Sequence, residues 1–102
     1  MNESIMLVKE IRQNDEIGND LSVSKEPRRV FCEIQSISQK EFMSAGQAGY
    51  KPDFRVKMWA HEYDGESEIH FCGNVYTVYR TYVDKEFIEL YLTKKTGAIQ
   101  HG

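Results

Sequence analysis

The sequence has no long apolar run. Its longest continuous apolar segment, residues 5–8 (IMLV), spans four residues, whereas a transmembrane helix needs roughly 20 and the apolar core of a signal peptide about 7–15. We therefore expect a soluble protein that is made in the cytoplasm and has no membrane partner.

Cysteine and positive charge are also scarce. Cys32 and Cys72 form no C-x-x-C pair, so a disulfide framework is excluded. One bridge between them stays open, but we expect buried free thiols. The 13 Lys and Arg residues face 16 Asp and Glu residues, for a net charge of −3 at pH 7. Free-standing nucleic-acid binders usually carry a positive surplus, because neutralising phosphates supplies much of their affinity.

The common catalytic motifs are missing as well. There is no P-loop, no G-x-G-x-x-G and no G-x-S-x-G. His61, Glu62, His70 and Cys72 are close in sequence and include zinc ligands and the partners of a Cys–His nucleophile. They lack the paired spacing of a structural zinc site, so we expect surface histidines and a core cysteine. We therefore predict that the protein is not an enzyme and that it needs no metal or cofactor.

What the sequence does contain is alternation with a period of two, the pattern of half-buried β-strands. The chain of 102 residues is expected to form one domain over residues 1–102. The alternation is clearest in three strands, and their predicted inward-facing residues are Val30, Cys32, Ile34, Phe54, Val56, Met58, Ala60, Ile88, Leu90 and Leu92. Three further strands are predicted at 5–11, 66–71 and 74–82.

Turn residues divide these strands. Turns are predicted at residues 14–19, 64–65, 73–74 and 84–85, and Pro27 is expected to limit any strand before Val30. Short loops between consecutive strands imply antiparallel hairpins. The predicted fold is therefore all-β, a small antiparallel β-barrel of six to seven short strands whose closure covers the strand edges.

One segment, at about residues 38–52, breaks the strand pattern and is predicted to be a long loop, or alternatively to hold a short helix. Ser38 would cap such a helix, with Glu41 three residues later completing a capping box. Gly46 and Gly49 would end it. Long loops in compact domains are often functional, and the apolar residues of this one either cover an open barrel end or contact a partner.

A group of tyrosines offers a second candidate site. Its members are Tyr76, Tyr79, Tyr82 and Tyr91, together with Arg80. Aromatic and arginine side chains on a barrel face stack single-stranded bases, which makes a small nucleic-acid-binding barrel using Tyr79, Arg80 and Tyr82 the alternative function. Tyr76 and Tyr79 are expected on opposite faces of one strand, however, and barrel packing with the hydroxyls at the rim explains the group better.

Several motifs occur together in residues 30–97: the loop EF-x-x-AGQ-x-G-x-KP, the acidic turn Asp64-Gly65-Glu66, the strand Y-x-VYRTY and the strand IELYL. In this order and spacing the segment resembles the head closure proteins (head–tail joining, or stopper, proteins) of long-tailed bacteriophages and prophages. The resemblance implies a small β-barrel with a long loop that assembles into a ring in the virion neck, made in the cytoplasm of the host bacterium.

The resemblance also implies partners and contact residues. The ring, a hexamer or dodecamer, would lie between a portal-adaptor ring and tail-side neck or tail proteins, with packaged DNA in its channel. No catalytic residues are implied. The loop that would reach the channel or a partner contains Glu41, Phe42, Met43, Gly46, Gln47, Gly49, Tyr50 and Lys51. From the polar faces of their strands, Arg55, Lys57 and Glu89 are expected to make charged subunit contacts.

Overall fold

The structure is a computed structural model that describes residues 1–14 and 20–94, with side chains described outside 12–23. The turn predicted at residues 14–19 lies largely outside the described residues. Within the described ranges, no helix is long and apolar enough to cross a membrane. The elements in chain order are β1 (Glu3–Asn14), β2 (Asp20–Gln35), α1 (Gln39–Gln47), β3 (Phe54–Trp59), a 3-10 turn (Ala60–Glu62), β4 (Glu68–Phe71), β5 (Asn74–Asp84) and β6 (Phe87–Lys94).

The six strands form a closed barrel in the order β1-β2-β3-β6-β5-β4, and every neighbouring pair is antiparallel. The barrel closes where β4 pairs with β1, from Met6 opposite His70 to Val8 opposite Glu68. Closure removes the open edges that a sheet of this size would otherwise present. The prediction of a small all-β barrel is confirmed.

Alternating residues of the strands fill the barrel interior. Val56 lies opposite Leu90, and Met58 lies opposite Ile88; all four side chains are buried. The period-two prediction of the core is therefore correct: seven of the ten predicted residues belong to the core, and Ile34, Phe54 and Ala60 are partly buried and pack against it. The core consists of Ile5, Leu7, Val30, Cys32, Val56, Met58, Ile69, Tyr76, Ile88, Leu90 and Leu92.

Two hairpins extend beyond the closed part of the barrel. Strand β1 pairs with β2 along its whole length but with β4 over three residues only. Strand β5 pairs with β4 as far as Thr77, whereas its pairing with β6 continues to Asp84. The far halves of both hairpins are therefore two-stranded ribbons within the described part of the chain.

Two expectations about the strands were wrong. Strand β2 runs through Pro27, which lies opposite Val8, and begins at Asp20. Proline is tolerated there because the described part of β2 pairs with β3 only from Glu33 to Gln35, so Pro27 has a strand partner on one side alone. In addition, β3 and β4 do not form a hairpin: β3 pairs with β2 and β6, and the 3-10 turn carries the chain from β3 to β4.

The segment between β2 and β3 contains the short helix α1, the second of its two predicted forms. Ser38 caps it, since the Ser38 hydroxyl accepts a hydrogen bond from the Glu41 amide at 3.1 Å. The helix ends at Gln47 and has Ala48 as its C-cap, so Gly46 lies within the helix and Gly49 follows directly after the cap. Tyr50 and Gly49 donate backbone bonds to Ala45 and Gly46, the Schellman pattern, and Gly49 supplies the positive φ of 90° that this pattern requires.

The turns before and after β5 also use left-handed backbone. Cys72 and Gly73, with φ of 51° and 79°, connect β4 to β5, and Lys85, with φ of 61°, lies between β5 and β6. Both turns fall within one residue of their predicted positions. Because Cys72 sits in a turn, its side chain is exposed, so the expectation of two buried thiols was right for Cys32 alone; neither cysteine forms a disulfide.

Candidate functional site

Helix α1 is attached to the outer face of the barrel through Glu41. The Tyr79 hydroxyl donates a 2.9 Å hydrogen bond to the Glu41 carboxylate, and the guanidinium of Arg80 forms an ion pair with the same group. The Glu41 side chain therefore reaches β5 instead of turning back to the Ser38 amide. Of the two hydrogen bonds of the predicted capping box, only the one accepted by the Ser38 hydroxyl is made. A contact between strand and helix takes the place of a local helix cap.

A β-bulge brings Tyr79 and Arg80 to the same carboxylate. Regular alternation would direct these consecutive side chains to opposite faces of β5. The register of β5 against β6 shifts between Val78 and Arg80, which leaves Tyr79 as the extra residue. Sequence periodicity does not reveal this bulge, and it is the feature that makes the contact with Glu41 possible.

Aromatic rings extend this contact to the end of the α1 segment. The rings of Tyr50 and Tyr79 stack with centroids 4.9 Å apart, and Tyr79 meets Tyr91 edge-on at 6.2 Å. The Arg80 guanidinium lies over the Tyr91 ring at 4.0 Å. We call Glu41, Tyr50, Tyr79, Arg80 and Tyr91 the α1–β5 seam. The seam buries Tyr91 on the outside of the barrel. Tyr79 is also on the outside, whereas Tyr76 lies inside against Phe54, so Tyr76 and Tyr79 are on opposite faces as expected.

The seam is also an electrostatic unit. Burial by itself raises the pKa of Glu41, but the hydrogen bonds from Arg80 and Tyr79 outweigh it and hold that pKa below its usual value. Burial, then the hydrogen bond and charge of Glu41, raise the pKa of Tyr79. The Glu41 hydrogen bond raises the pKa of Arg80. Glu41 and Arg80 are thus charged and Tyr79 is neutral at physiological pH, which favours the attached position of α1.

Most of the predicted loop residues point away from the seam. Phe42 is 49% exposed and Met43 60% exposed, although both are large apolar side chains. Gly46, Gln47 and Gly49 are exposed as well. Lys51 is exposed, and its carbonyl accepts a 2.9 Å hydrogen bond from the Thr93 hydroxyl. The α1 segment therefore has one anchored side and one apolar side that faces solvent.

Beside the seam lie the three residues expected to make charged subunit contacts. Arg55 pairs with Glu89 at 3.5 Å, and Glu89 also accepts a 2.8 Å hydrogen bond from the Tyr91 hydroxyl. The Lys57 ammonium lies 4.6 Å from the centre of the Phe87 ring. All three residues thus have partners within the chain and lie on the outer surface of β3 and β6.

The histidine and cysteine candidates do not converge. His61 lies in the 3-10 turn and Cys72 in the β4–β5 turn. His70 lies on β4, with its Nε2 atom 2.6 Å from the Glu68 carboxylate. Across residues 1–11 and 24–94, whose side chains the structure describes, no three His, Cys, Asp or Glu side chains are grouped so that they could hold a metal ion.

Sequence reasoning missed a second polar cluster around Glu66. This carboxylate is 5% exposed and pairs with Arg28 at 2.8 Å. It also accepts a 2.9 Å bond from the Asp64 amide, and the Tyr63 hydroxyl donates to the Glu66 carbonyl at 2.6 Å. Asp64 and Glu66 of this cluster line a surface pocket of about 460 Å³ where the β1–β2 hairpin leaves the barrel. The acidic turn 64–66 was visible in the sequence, but its partner Arg28 was not.

No protein-family model matches this chain, and a search of curated proteins likewise finds no match.

Proposed function

We propose that this chain is a structural subunit of the neck of a tailed phage or prophage particle. A ring of such subunits would close the DNA-filled head and connect it to the tail. The observation that carries the proposal is the geometry of α1: the seam attaches one side of the helix to the barrel, while Phe42 and Met43 stay exposed. This segment lies within the part of the sequence that resembles head closure proteins.

The exposed side of α1 is suited to contacts made on assembly. Fully burying a side chain such as Phe or Met stabilises a complex by about 1.5–3 kcal/mol. The helix is capped at both ends and held by the seam, so little further ordering opposes that gain. We propose that Phe42 and Met43 contact the equivalent segments of neighbouring subunits or line the channel that the ring surrounds.

The proposed role needs partners on both sides of the ring. Copies of the chain would associate as a hexamer or dodecamer, with a portal-adaptor ring on the head side and neck or tail proteins on the tail side. Packaged DNA would occupy the channel. A net charge of −3 suits a channel that blocks DNA sterically, because each phosphate contact would add salt-dependent affinity.

The same contacts make the nucleic-acid-binding alternative less favourable. Arg80 is paired with Glu41, and Tyr79 is stacked on Tyr50. Base stacking by either residue would require α1 to move away from the barrel. Of Tyr79, Arg80 and Tyr82, only Tyr82, which is 52% exposed, is then freely available for stacking. Fluorescence anisotropy with a labelled single-stranded oligonucleotide at low salt tests this alternative, and salt-sensitive micromolar binding would favour it over the neck role.

Electron microscopy of lysates tests the neck role. Disrupting the gene should give empty or leaking heads together with unattached tails. A Phe42→Ser/Met43→Ser double variant should fold and yet give the same particles, because it removes the apolar side of α1 and leaves the seam intact. Phe31→Ser on β2 is the matched control, since Phe31 is 59% exposed and lies opposite Ser4 of β1, outside the α1 segment. Infectious, normally tailed particles from the gene disruption would refute the proposal.

A further inference from the structure

The second half of β5 has an unpaired edge. Pairing with β4 ends at Thr77, and the Val78 amide still donates to the Ser67 carbonyl at 2.9 Å. From Tyr79 to Asp84, the described strands pair with β5 only on the β6 side. Residues 80–84 are all exposed. Their backbone groups on the far side of β5 are therefore available to a further strand.

The middle of this edge, between Arg80 and Asp84, has neither of the features that usually protect an exposed strand. Natural edge strands are blunted by proline and by charged side chains. The free edge of β2 shows both, with Pro27 flanked by Glu26 and Arg28. By contrast, Thr81, Tyr82 and Val83 are three consecutive β-branched or aromatic residues with high strand propensity. The free edges of β2 and β5 thus differ, and of these two the β5 edge is the one open to pairing.

The sequence of this edge is complementary to itself. If two copies pair in antiparallel fashion about Tyr82, Arg80 of each copy lies opposite Asp84 of the other. Thr81 then lies opposite Val83, and the two Tyr82 rings are neighbours on one face. Opposite charges and aromatic pairs at such positions each stabilise strand pairing. The Arg80 side chain remains 44% exposed in spite of its contact with Glu41, so a second carboxylate can reach it.

We propose that a second copy of this chain pairs with the β5 edge, so that two barrels share a continuous antiparallel sheet β6-β5-β5-β6 across a two-fold axis. The contact is isologous, since the same residues meet from both sides. It would cover Val83, 59% exposed, and Tyr82, 52% exposed, and satisfy the free backbone groups of both edges. This inference concerns the free chain in solution and does not rest on the neck role, because a ring with different partners on its two sides is built from head-to-tail contacts instead.

Cysteine crosslinking tests the register directly. Residues directly opposite each other on antiparallel strands have Cα atoms about 4.5–5.5 Å apart, within the range of Cα separations that a disulfide spans. In a Cys72→Ser background, which removes the exposed thiol, Tyr82→Cys should form a covalent dimer under mild oxidation. Asp84→Cys is the matched control and should not crosslink, because residue 84 lies opposite residue 80. Crosslinking of both variants to the same extent, or of neither, would overturn the proposal.

Sedimentation equilibrium provides a second test without cysteines. The wild-type chain should show a concentration-dependent dimer, and Val83→Lys should raise its dissociation constant at least about tenfold, equivalent to about 1.4 kcal/mol. Phe31→Lys, at an equally exposed site on β2, should leave it unchanged. A wild-type chain that stays monomeric, or a dimer unaffected by Val83→Lys, would overturn the edge contact. Particle defects on gene disruption would support the neck role in either case, so the two proposals fail separately.

Discussion

Arg80 on β5 and Glu41 on α1 are 39 residues apart in the chain, yet their ion pair attaches the helix to the barrel. The hydroxyl of Tyr79 reaches the same carboxylate because a bulge turns it toward α1. The position of the apolar side of α1, with Phe42 and Met43 toward solvent, depends on this contact.

Removing the charge of Glu41 should loosen α1. We expect Glu41→Gln to lower the free energy of unfolding by about 1 kcal/mol, because the Arg80 side chain is partly solvated and the ion pair is screened. Amide hydrogen exchange in residues 41–47 should become faster than in the wild type. Glu86→Gln, a change of the same charge at an exposed turn residue, should alter neither quantity. Unchanged exchange in α1 would show that Glu41 does not hold the helix.

The two glycines of the α1 segment should respond oppositely to alanine. Gly49 has φ of 90°, so Gly49→Ala strains the Schellman turn and should destabilise the protein by about 1 kcal/mol. Gly46 lies within the helix with no atom within 4 Å of an added Cβ, so Gly46→Ala should stabilise by about 0.5–1 kcal/mol. Urea unfolding of both variants measures the difference. Equal effects of the same sign would contradict the observed helix end.

Acid should weaken the fold partly through Glu66. Burial alone raises the pKa of Glu66, but hydrogen bonds from Arg28 and from backbone amides hold it below the ordinary value of 4.5. A carboxyl with a lowered folded pKa contributes stability that is complete above the ordinary value and lost as the pH falls through the folded value. Glu66→Gln should therefore cost about 1 kcal/mol at neutral pH and less at a pH of about 3.

Urea unfolding across this pH range provides the measurement for Glu66. The unfolding free energies of wild type and Glu66→Gln should converge as the pH falls. Glu62→Gln, in the nearby 3-10 turn, is a control with the same charge change, and its difference from the wild type should vary less with pH. Parallel pH curves for wild type and Glu66→Gln would exclude Glu66 from the acid transition.

The two thiols should react at different stages of unfolding. Cys72 is exposed and should react with a water-soluble disulfide reagent in the native protein. Cys32 is buried, and burial raises its pKa to about 11, so it carries little thiolate at neutral pH. One thiol per chain should react rapidly in the native protein, and the second should react only after denaturation. Two equally fast thiols in the native protein would show that the barrel core opens readily.

The sequence by itself determined the class of fold and most of the core. Alternation in β3 and β6 identified Val56, Met58, Leu90 and other inward-facing residues, because a strand with one buried face must place apolar residues at every second position. The cap of α1 by Ser38 was also readable, since it depends on residues three positions apart. Features set by neighbouring residues were therefore predictable.

The tertiary structure alone decided which distant residues meet. The seam joins Glu41 to Arg80, and the acidic turn finds its partner in Arg28, because the order of strands around the barrel brings these positions together. The bulge at Tyr79 depends on how β5 pairs with β6, and the free edge depends on β4 being shorter than β5. A local pattern carries no information on such pairing, so the seam and the free β5 edge became visible only in the folded chain.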